Sequence, residues 1–199
     1  DRLQRARRDG TDRMAEFRKE MENYRSDRLR VGLEVECDRE GNLTLLEEDR
    51  EGWYLLLGAV HWLPSHLPQT TDPERLSSYL RVLEQLASRG IDVLAHPLRI
   101  FRDDKPAGLQ DIYPSIARIL AAHHVGAEMN FHLNQPDPEL FATCAAEGVP
   151  ILTGSDAHSL CEVGDLYPHL QLLREVGASV LSLPEAVRAG TKTRPDSPG

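Results

Sequence analysis

The sequence predicts an α/β fold in which parallel strands alternate with helices. Short apolar runs of strand length recur along the chain, separated by longer segments with helical periodicity. The chain has 199 residues, of which 40% are hydrophobic and 28% charged, a balance that suits one domain around one core. Four apolar runs also end in Glu, His or Asp. In parallel α/β barrels the active site lies at these C-terminal ends of the strands. These runs are residues 31–36 (VGLEVE), 55–61 (LLLGAVH), 91–97 (IDVLAHP) and 150–158 (PILTGSDAH).

The N-terminal region predicts an amphipathic helix. Thr11 or Asp12 is a residue type that caps helix N-termini, and four apolar side chains follow at spacings typical of one helix face. We expect this apolar stripe to pack against the core. It consists of Met14, Phe17, Met21 and Tyr24.

Two strands and a long helix are predicted next. Residues 30–37 and the apolar run within residues 53–63 indicate strands, the second ending at His61, with a short helical stretch between them. The sequence Asp-Pro-Glu at residues 72–74 is typical of a helix start, leucines continue the helical spacing, and Gly90 provides a stop. A strand at residues 91–95 then follows directly.

The same alternation continues through the second half of the chain, and we expect one domain over residues 1–190. Residues 191–199 (TKTRPDSPG) are polar and rich in Pro, which predicts a disordered tail. The predicted elements are a helix at residues 114–124, a strand at 126–131, a helix from Asp137 to Gly148, a strand at 149–153, a helix at 165–176, a strand at 178–183 and a short helix from Pro184.

Composition excludes several classes of function. No run of about 18 apolar residues is present to cross a membrane, and the charged N-terminus lacks the apolar core of a signal peptide, so we expect a cytoplasmic protein. The formal net charge of −9 disfavours an extended nucleic-acid surface, because phosphate backbones are bound by clustered Lys and Arg. The three cysteines share no close spacing, which indicates reduced thiols rather than disulfides or a thiolate zinc site.

Carboxylate and imidazole side chains at the strand ends predict a metal site. Glu34 and Glu36 alternate along a strand and therefore share one face, although an edge strand with both carboxylates facing water fits this pattern equally well. His61 follows small residues, and His96 precedes Pro97, which cannot continue a strand ladder. Carboxylates and imidazoles together bind zinc, iron or manganese.

The fragment Gly-Ser-Asp-Ala-His is the most specific of these motifs. Asp156 and His158 are two residues apart, so on an extended segment both side chains point the same way. Gly154 and Ser155 permit the tight turn that would present them.

Other polar residues near the predicted strand ends are candidates for supporting roles. Arg99 and Arg102 follow His96 closely and could grip phosphate, although solvated loop arginines fit equally well. Glu128 and Asn130 end another strand and could touch the site or orient a metal ligand. Four histidines lie on predicted loops or helices, where a surface position is expected. His132, two residues beyond Asn130 and near the mouth of the predicted barrel, is a borderline case between a surface and a site residue. The four are His66, His123, His124 and His169.

The order of these motifs closely resembles the polymerase and histidinol phosphatase (PHP) superfamily, and within it the histidinol-phosphatase-like proteins. The resemblance spans about residues 31–176. It implies a distorted, TIM-like (β/α)7 barrel with two or three divalent metal ions at the strand ends, and hydrolysis of phosphate esters. It also implies that Glu34 bridges two metals, His61 and His96 bind the second, Asp156 the first and His158 the third.

The sequence departs from the family pattern at its start. The family opens with a strand carrying His-x-His and a second strand ending in a Thr-Asp-His-like motif, and no His precedes His61 here. The first strands of such a barrel are therefore absent from this sequence. A piece of a longer chain, a fragment completed by another polypeptide and a degenerate member without catalysis would each account for this, and we expect the first.

The sequence thus predicts metal-dependent hydrolysis of a small phosphate monoester, with histidinol phosphate, an intermediate of histidine biosynthesis, as the leading substrate. A nuclease or nucleotide phosphatase of the same superfamily is one alternative. A non-catalytic metal-binding or regulatory module is another. We expect zinc, iron or manganese as the metal and a small phosphorylated molecule as the partner.

Overall fold

The computed structural model describes residues 12–26, 28–63, 70–133 and 135–178. It shows an α/β fold with a five-stranded parallel sheet in the order β1-β2-β3-β4-β5 and helices in the connections. The elements are α1 (Arg13–Glu22), β1 (Leu33–Glu36), β2 (Leu56–Ala59), α2 (Asp72–Ser88), β3 (Val93–Leu94), α3 (Tyr113–Ala122), β4 (Gly126–Asn130), α4 (Pro138–Ala146), β5 (Ile151–Gly154) and α5 (Tyr167–Glu175).

The strand order follows the chain order, so each connection leads to the neighbouring strand. All five strands run in one direction, and their carboxyl ends therefore meet at one edge of the sheet. A sheet wound in this way is compatible with part of a barrel. The described residues contain five strands, and closure into a seven-stranded barrel remains a prediction.

The two faces of the sheet differ in what covers them. One face packs against the helices in a single large core that includes Val35, Leu56 and Leu94 from the strands. On the opposite face Leu55, Val93 and Leu152 form a separate, smaller apolar cluster. Glu34, Glu128 and Asn130 alternate with core-facing strand residues, so they lie on this second face.

Helix boundaries follow the capping residues in the sequence. Asp12 accepts a hydrogen bond from the Ala15 amide at 3.0 Å, which begins α1. Thr71 and Glu74 form a capping box at the start of α2, where the Glu74 carboxylate accepts from the Thr71 amide at 2.8 Å. Gly90 has a φ of +83°, a left-handed conformation that ends this helix as expected.

The predicted strands are longer than those observed. Residues 91–95 were expected to form a strand, whereas the ladder covers only Val93–Leu94. His96 has a φ of +30°, so the chain leaves the extended conformation there, before Pro97, which has no amide hydrogen to donate. The strand expected at residues 30–37 is likewise reduced to Leu33–Glu36.

The apolar stripe of α1 does not pack as one core face. Only Met14 of its four residues is buried, while Phe17 packs its ring on Trp53 and Tyr24 is exposed. The prediction of a core-packed stripe is therefore wrong for these exposed members. The reason is that α1 rests on the loop before β2, where the Arg18 guanidinium donates to the Glu51 carbonyl at 2.6 Å.

The strand predicted at residues 178–183, the helix from Pro184, the tail at residues 191–199 and His66 lie outside the described residues, apart from Ala178 at the start of that strand. None of the helices in the described ranges is both long and apolar enough to cross a lipid bilayer.

Candidate metal centre

The carboxyl ends of the strands present potential ligands at a regular position. His61, His96, His132 and Asp156 each lie two residues beyond the last residue of β2, β3, β4 and β5 respectively. Because neighbouring parallel strands end at one edge, this spacing brings their side chains toward the same region. Two groups result, which we call the first cluster (Glu34, His61 and His96) and the second cluster (His132, Asp156 and His158).

The first cluster has the spacing of ligands around one ion. Nε2 of His96 lies 3.3 Å from Oε1 of Glu34 and 3.3 Å from Nε2 of His61. A tetrahedral ion with bonds of about 2.0–2.1 Å places neighbouring ligand atoms about 3.3 Å apart. These three side chains could therefore hold a divalent cation with little rearrangement, since two nitrogens and a carboxylate oxygen already converge.

His96 is held in place from its backbone. Its amide donates to Oε2 of Glu128 at 2.9 Å, and the Tyr79 hydroxyl donates to the carbonyl of Pro97. The His96 ring is buried, and its Nδ1 has no hydrogen-bond partner among the described residues. A left-handed φ at a non-glycine residue costs roughly 1–3 kcal/mol, so these bonds on either side stabilise a strained backbone position.

Glu128 occupies a tight position between strands. It is buried, and burial raises the pKa of its carboxyl group above the ordinary value. A Cβ added to Gly154 on the neighbouring strand would overlap Oε1 of Glu128. Glycine at this position thus leaves the space in which the Glu128 carboxylate reaches the His96 amide.

The remaining members of the first cluster are more open to solvent. A hydrogen bond from His96 holds the pKa of Glu34 below its usual value. Burial, and then the neighbouring His96 ring, lower the pKa of His61, which favours the neutral imidazole that a metal requires. Nδ1 of His61 lies 3.7 Å from Oε1 of Glu36, so this carboxylate can orient the ring while Nε2 faces the cluster.

The second cluster lies on the loops after β4 and β5. The imidazole rings of His132 and His158 stack with centroids 4.3 Å apart and planes 10° apart. Burial works against ionisation of Asp156, yet the hydrogen bond and charge of Arg99 hold the pKa of this carboxyl below its usual value. His158 is the most exposed member, with 67% of its side chain accessible.

Arg99 lies beside both clusters. Its Nη2 donates to Oδ2 of Asp156 at 2.7 Å, to Oδ1 of Asn130 at 3.1 Å and to the carbonyl of His132 at 3.0 Å. Its charge also contributes to the lowered pKa of His61. The guanidinium is thus engaged by protein acceptors at the site, while its Nε has no partner among the described atoms.

Arg102, the other predicted phosphate-binding residue, interacts with a neighbouring loop residue instead of with the clusters. Its guanidinium pairs with the adjacent Asp103 through two contacts of 2.9 Å and is substantially exposed. The structure therefore brings Arg99, but not Arg102, into contact with the residues of the two clusters.

Sequence reasoning missed some of the residues that shape these clusters. His132 was a borderline case, and its position two residues beyond β4 matches that of the ligands after the other strands. Tyr79 was predicted only as part of a helix, and no local sequence pattern predicts its hydrogen bond to the Pro97 carbonyl.

The surface position predicted for His169 is wrong. Its side chain is buried against Phe131, and its Nε2 donates to the Gly154 carbonyl at 3.0 Å. This face of α5 meets the end of β5 and the loop after β4, and helical periodicity alone does not distinguish it from an exposed face. His123 and His124 lie as expected on the partly or fully exposed surface.

No family model matches the chain, and the curated proteins contain no match to it either. The geometry of the two clusters is therefore the basis for assigning a function to this chain.

Proposed function

We propose that the chain is a metal-dependent phosphoesterase that hydrolyses a small phosphate monoester. The observation that carries this proposal is the first cluster, in which Nε2 of His96 lies 3.3 Å from both Oε1 of Glu34 and Nε2 of His61. The PHP-like order of motifs assigns these three residues to one metal. The parallel sheet with its strand ends at one edge is compatible with that assignment.

The donor set fits a borderline divalent cation. Two imidazole nitrogens and one carboxylate oxygen form the ligand type of catalytic zinc sites, which keep a further position for water or substrate. Partial exposure of Glu34 and His61 leaves such a position accessible from solvent. Glu36 and Glu128 would hold the ligands, the first beside the His61 ring and the second at the His96 amide.

Charge near the cluster favours a phosphate group. A divalent ion held by Glu34, His61 and His96 would supply a bound water of lowered pKa and neutralise charge on phosphoryl oxygens. Arg99 adds a fixed positive charge that is felt at His61, and its partly buried guanidinium would attract the anionic end of a substrate to the same edge. As metal ligands, His61 and Glu34 would fix the position of the ion and therefore of a phosphate group bound to it.

Histidinol phosphate is the leading substrate on the resemblance, and nucleotides are the alternative within the same class. Both are small phosphate monoesters, so the metal cluster does not distinguish them. The net charge of −9 favours small anions drawn to a local cationic site over long polynucleotides.

A non-catalytic metal-binding module is the second candidate function. The observation that favours it is the engagement of Arg99, whose Nη2 is already bound to Asp156, Asn130 and His132 rather than presented to a ligand. A module of this kind would bind the cation at the first cluster without hydrolysing phosphate esters.

A hydrolysis assay on metal-loaded protein tests the proposal. Zinc-, manganese- and iron-loaded samples are incubated with histidinol phosphate, mononucleotides and p-nitrophenyl phosphate, and inorganic phosphate is measured. We expect release that is lost in His96→Gln and retained in His124→Asn, a control on an exposed histidine. Metal binding without phosphate release from any of these esters would overturn the phosphatase proposal and support the module.

A further inference from the structure

The second cluster lies at equivalent positions of two paired strands. Asn130 of β4 is in register with Gly154 of β5, and the chain continues from them to His132 and Asp156, each two residues further on. The side chains that follow two paired strands at equal offsets therefore come together. Asp156 has a left-handed φ of +46°, and His158 follows it after one residue.

One nitrogen of His158 is directed by a hydrogen bond. Its Nδ1 lies 2.8 Å from the backbone carbonyl of Asp156, and a carbonyl can only accept, so Nδ1 carries the hydrogen. In the neutral ring the lone pair is then on Nε2. This is the arrangement found in metal-bound histidines, where the second ring nitrogen donates to a backbone or carboxylate oxygen.

The stacked rings set the shape of the site. His132 and His158 are nearly parallel at a centroid distance of 4.3 Å, and one ligand atom from each of the three residues lies within 4.8 Å of the others. The ring centroids are further apart than the about 3.3 Å between neighbouring ligand atoms of a tetrahedral ion, so binding requires a small movement of the exposed ring. Such a movement is available because His158 is two-thirds exposed.

Two carboxylates, those of Asp156 and Glu162, and one guanidinium, that of Arg99, lie around this cluster. Glu162 accepts from the amides of His158 and Ser159 at 2.7 and 3.0 Å, which places a second carboxylate next to His158. Arg99 takes Oδ2 of Asp156, while Oδ1 is the oxygen nearer to His158, at 3.9 Å from Nδ1. One oxygen of Asp156 therefore remains available without displacing Arg99.

We infer that His132, Asp156 and His158 together bind one divalent transition-metal ion such as Zn²⁺, separately from the first cluster. Two imidazoles and a carboxylate suit zinc and cobalt better than magnesium or calcium. The family resemblance assigns Asp156 and His158 to two different metals and gives no role to His132. The arrangement of this chain instead places all three around one ion. This inference does not depend on the proposed hydrolysis.

A titration with cobalt or zinc as the only ligand tests the inference. Metal-free protein is titrated with Co²⁺ by visible absorption and with Zn²⁺ by calorimetry. We expect two ions in the wild-type chain and in His124→Asn, and one in both His132→Gln and His158→Gln. The second ion should weaken by more than about tenfold in these variants, because even loss of a hydrogen-bond partner to a ligand costs about that much.

The first cluster provides the matching comparison. His61→Gln should also bind one ion, and a His61→Gln/His132→Gln double variant none, with unchanged far-ultraviolet circular dichroism. Two ions in His132→Gln and His158→Gln, or a single ion in the wild type that is lost only in His61→Gln, would overturn the inference. Two ions bound without phosphate hydrolysis would overturn the proposed phosphatase function while leaving the second site in place.

Discussion

The two clusters differ in how their ligands are held. In the first cluster His96 is buried, and its backbone is fixed by Glu128 on one side and by Tyr79 through Pro97 on the other. In the second cluster His158 is two-thirds exposed and its amide is held by a carboxylate of the same loop, that of Glu162. The first cluster is therefore preorganised by the sheet, whereas the second depends on the loops.

This difference predicts different affinities. A site whose ligands already stand at coordination distances loses little side-chain freedom when an ion binds. The contacts of 3.3 Å in the first cluster meet this condition, whereas in the second cluster the stacked rings are 4.3 Å apart between centroids and His158 is two-thirds exposed. We therefore expect the first cluster to bind a divalent ion more tightly.

Removing His96 should have the largest effect. In His96→Gln we expect affinity at the first cluster to fall by more than about a hundredfold, beyond the loss caused by removing only a supporting partner. Phosphate release should fall with it. Calorimetric zinc titration measures the change, with His158→Gln as the comparison, and equal losses at the tighter site in both variants would contradict the distinction between the clusters.

Filling the space beside Glu128 should disturb the first cluster, because the Glu128 carboxylate holds the His96 amide. In Gly154→Ala the added methyl group overlaps the Glu128 carboxylate, and we expect a loss of about 2–3 kcal/mol in the free energy of unfolding, as for overpacked cores. Urea denaturation measures it. Gly148→Ala is the control, because nothing lies near its added Cβ and only its left-handed φ is strained, at about 1–2 kcal/mol. A loss of less than about 1 kcal/mol in Gly154→Ala would exclude a costly overlap with the Glu128 carboxylate.

The Tyr79 hydroxyl should contribute less. Tyr79→Phe leaves the Pro97 carbonyl without this buried donor, and we expect about 1–2 kcal/mol of destabilisation by urea denaturation. Zinc affinity at the first cluster should weaken in parallel, because the turn after His96 is released. Zinc affinity at the second cluster should not change. A Tyr79→Phe protein with unaltered affinity at both clusters would show that Glu128 alone fixes His96.

Acid should lower the free energy of unfolding of the metal-free protein, and we expect this change to be the smallest of those predicted here. Burial lowers the pKa of both His61 and His169, so the folded state binds fewer protons than the unfolded state as the pH falls through about 6.5. Stability should therefore decrease below that pH. Urea denaturation in the presence of a chelator measures the slope, and His169→Gln, which retains an amide donor for the Gly154 carbonyl, should flatten it. An unchanged slope in that variant would exclude His169 as a contributor.

Much of the fold follows from local signals in the sequence. Asp12 and Asp137 begin helices as predicted, the helix predicted to start at residues 72–74 is capped by Thr71, and the apolar runs form parallel strands. The strands are shorter than their apolar runs because a buried run continues past the ladder into turns such as the one at His96. The apolar pattern of a sequence indicates which residues are buried. Buried residues continue beyond the last hydrogen bond of the sheet, so the pattern overestimates strand length.

The candidate site is predictable where it depends on strand ends and unpredictable where it depends on tertiary packing. Glu34, His61 and His96 each stand in a recognisable motif, and the structure brings them together. The burial of His169 and the bond from Tyr79 arise from helices that pack across the chain, and no short motif encodes such contacts. His132 lies between these cases, because its offset from β4 becomes informative only when the strand end is known.

Zinc-edge anomalous diffraction from crystals grown with Zn²⁺ would test the central claim most directly. We predict an anomalous peak within about 2.1 Å of Oε1 of Glu34, Nε2 of His61 and Nε2 of His96, with higher occupancy than any peak at the second cluster. An anomalous map with no peak among these three side chains, in crystals that hold zinc elsewhere, would contradict the account.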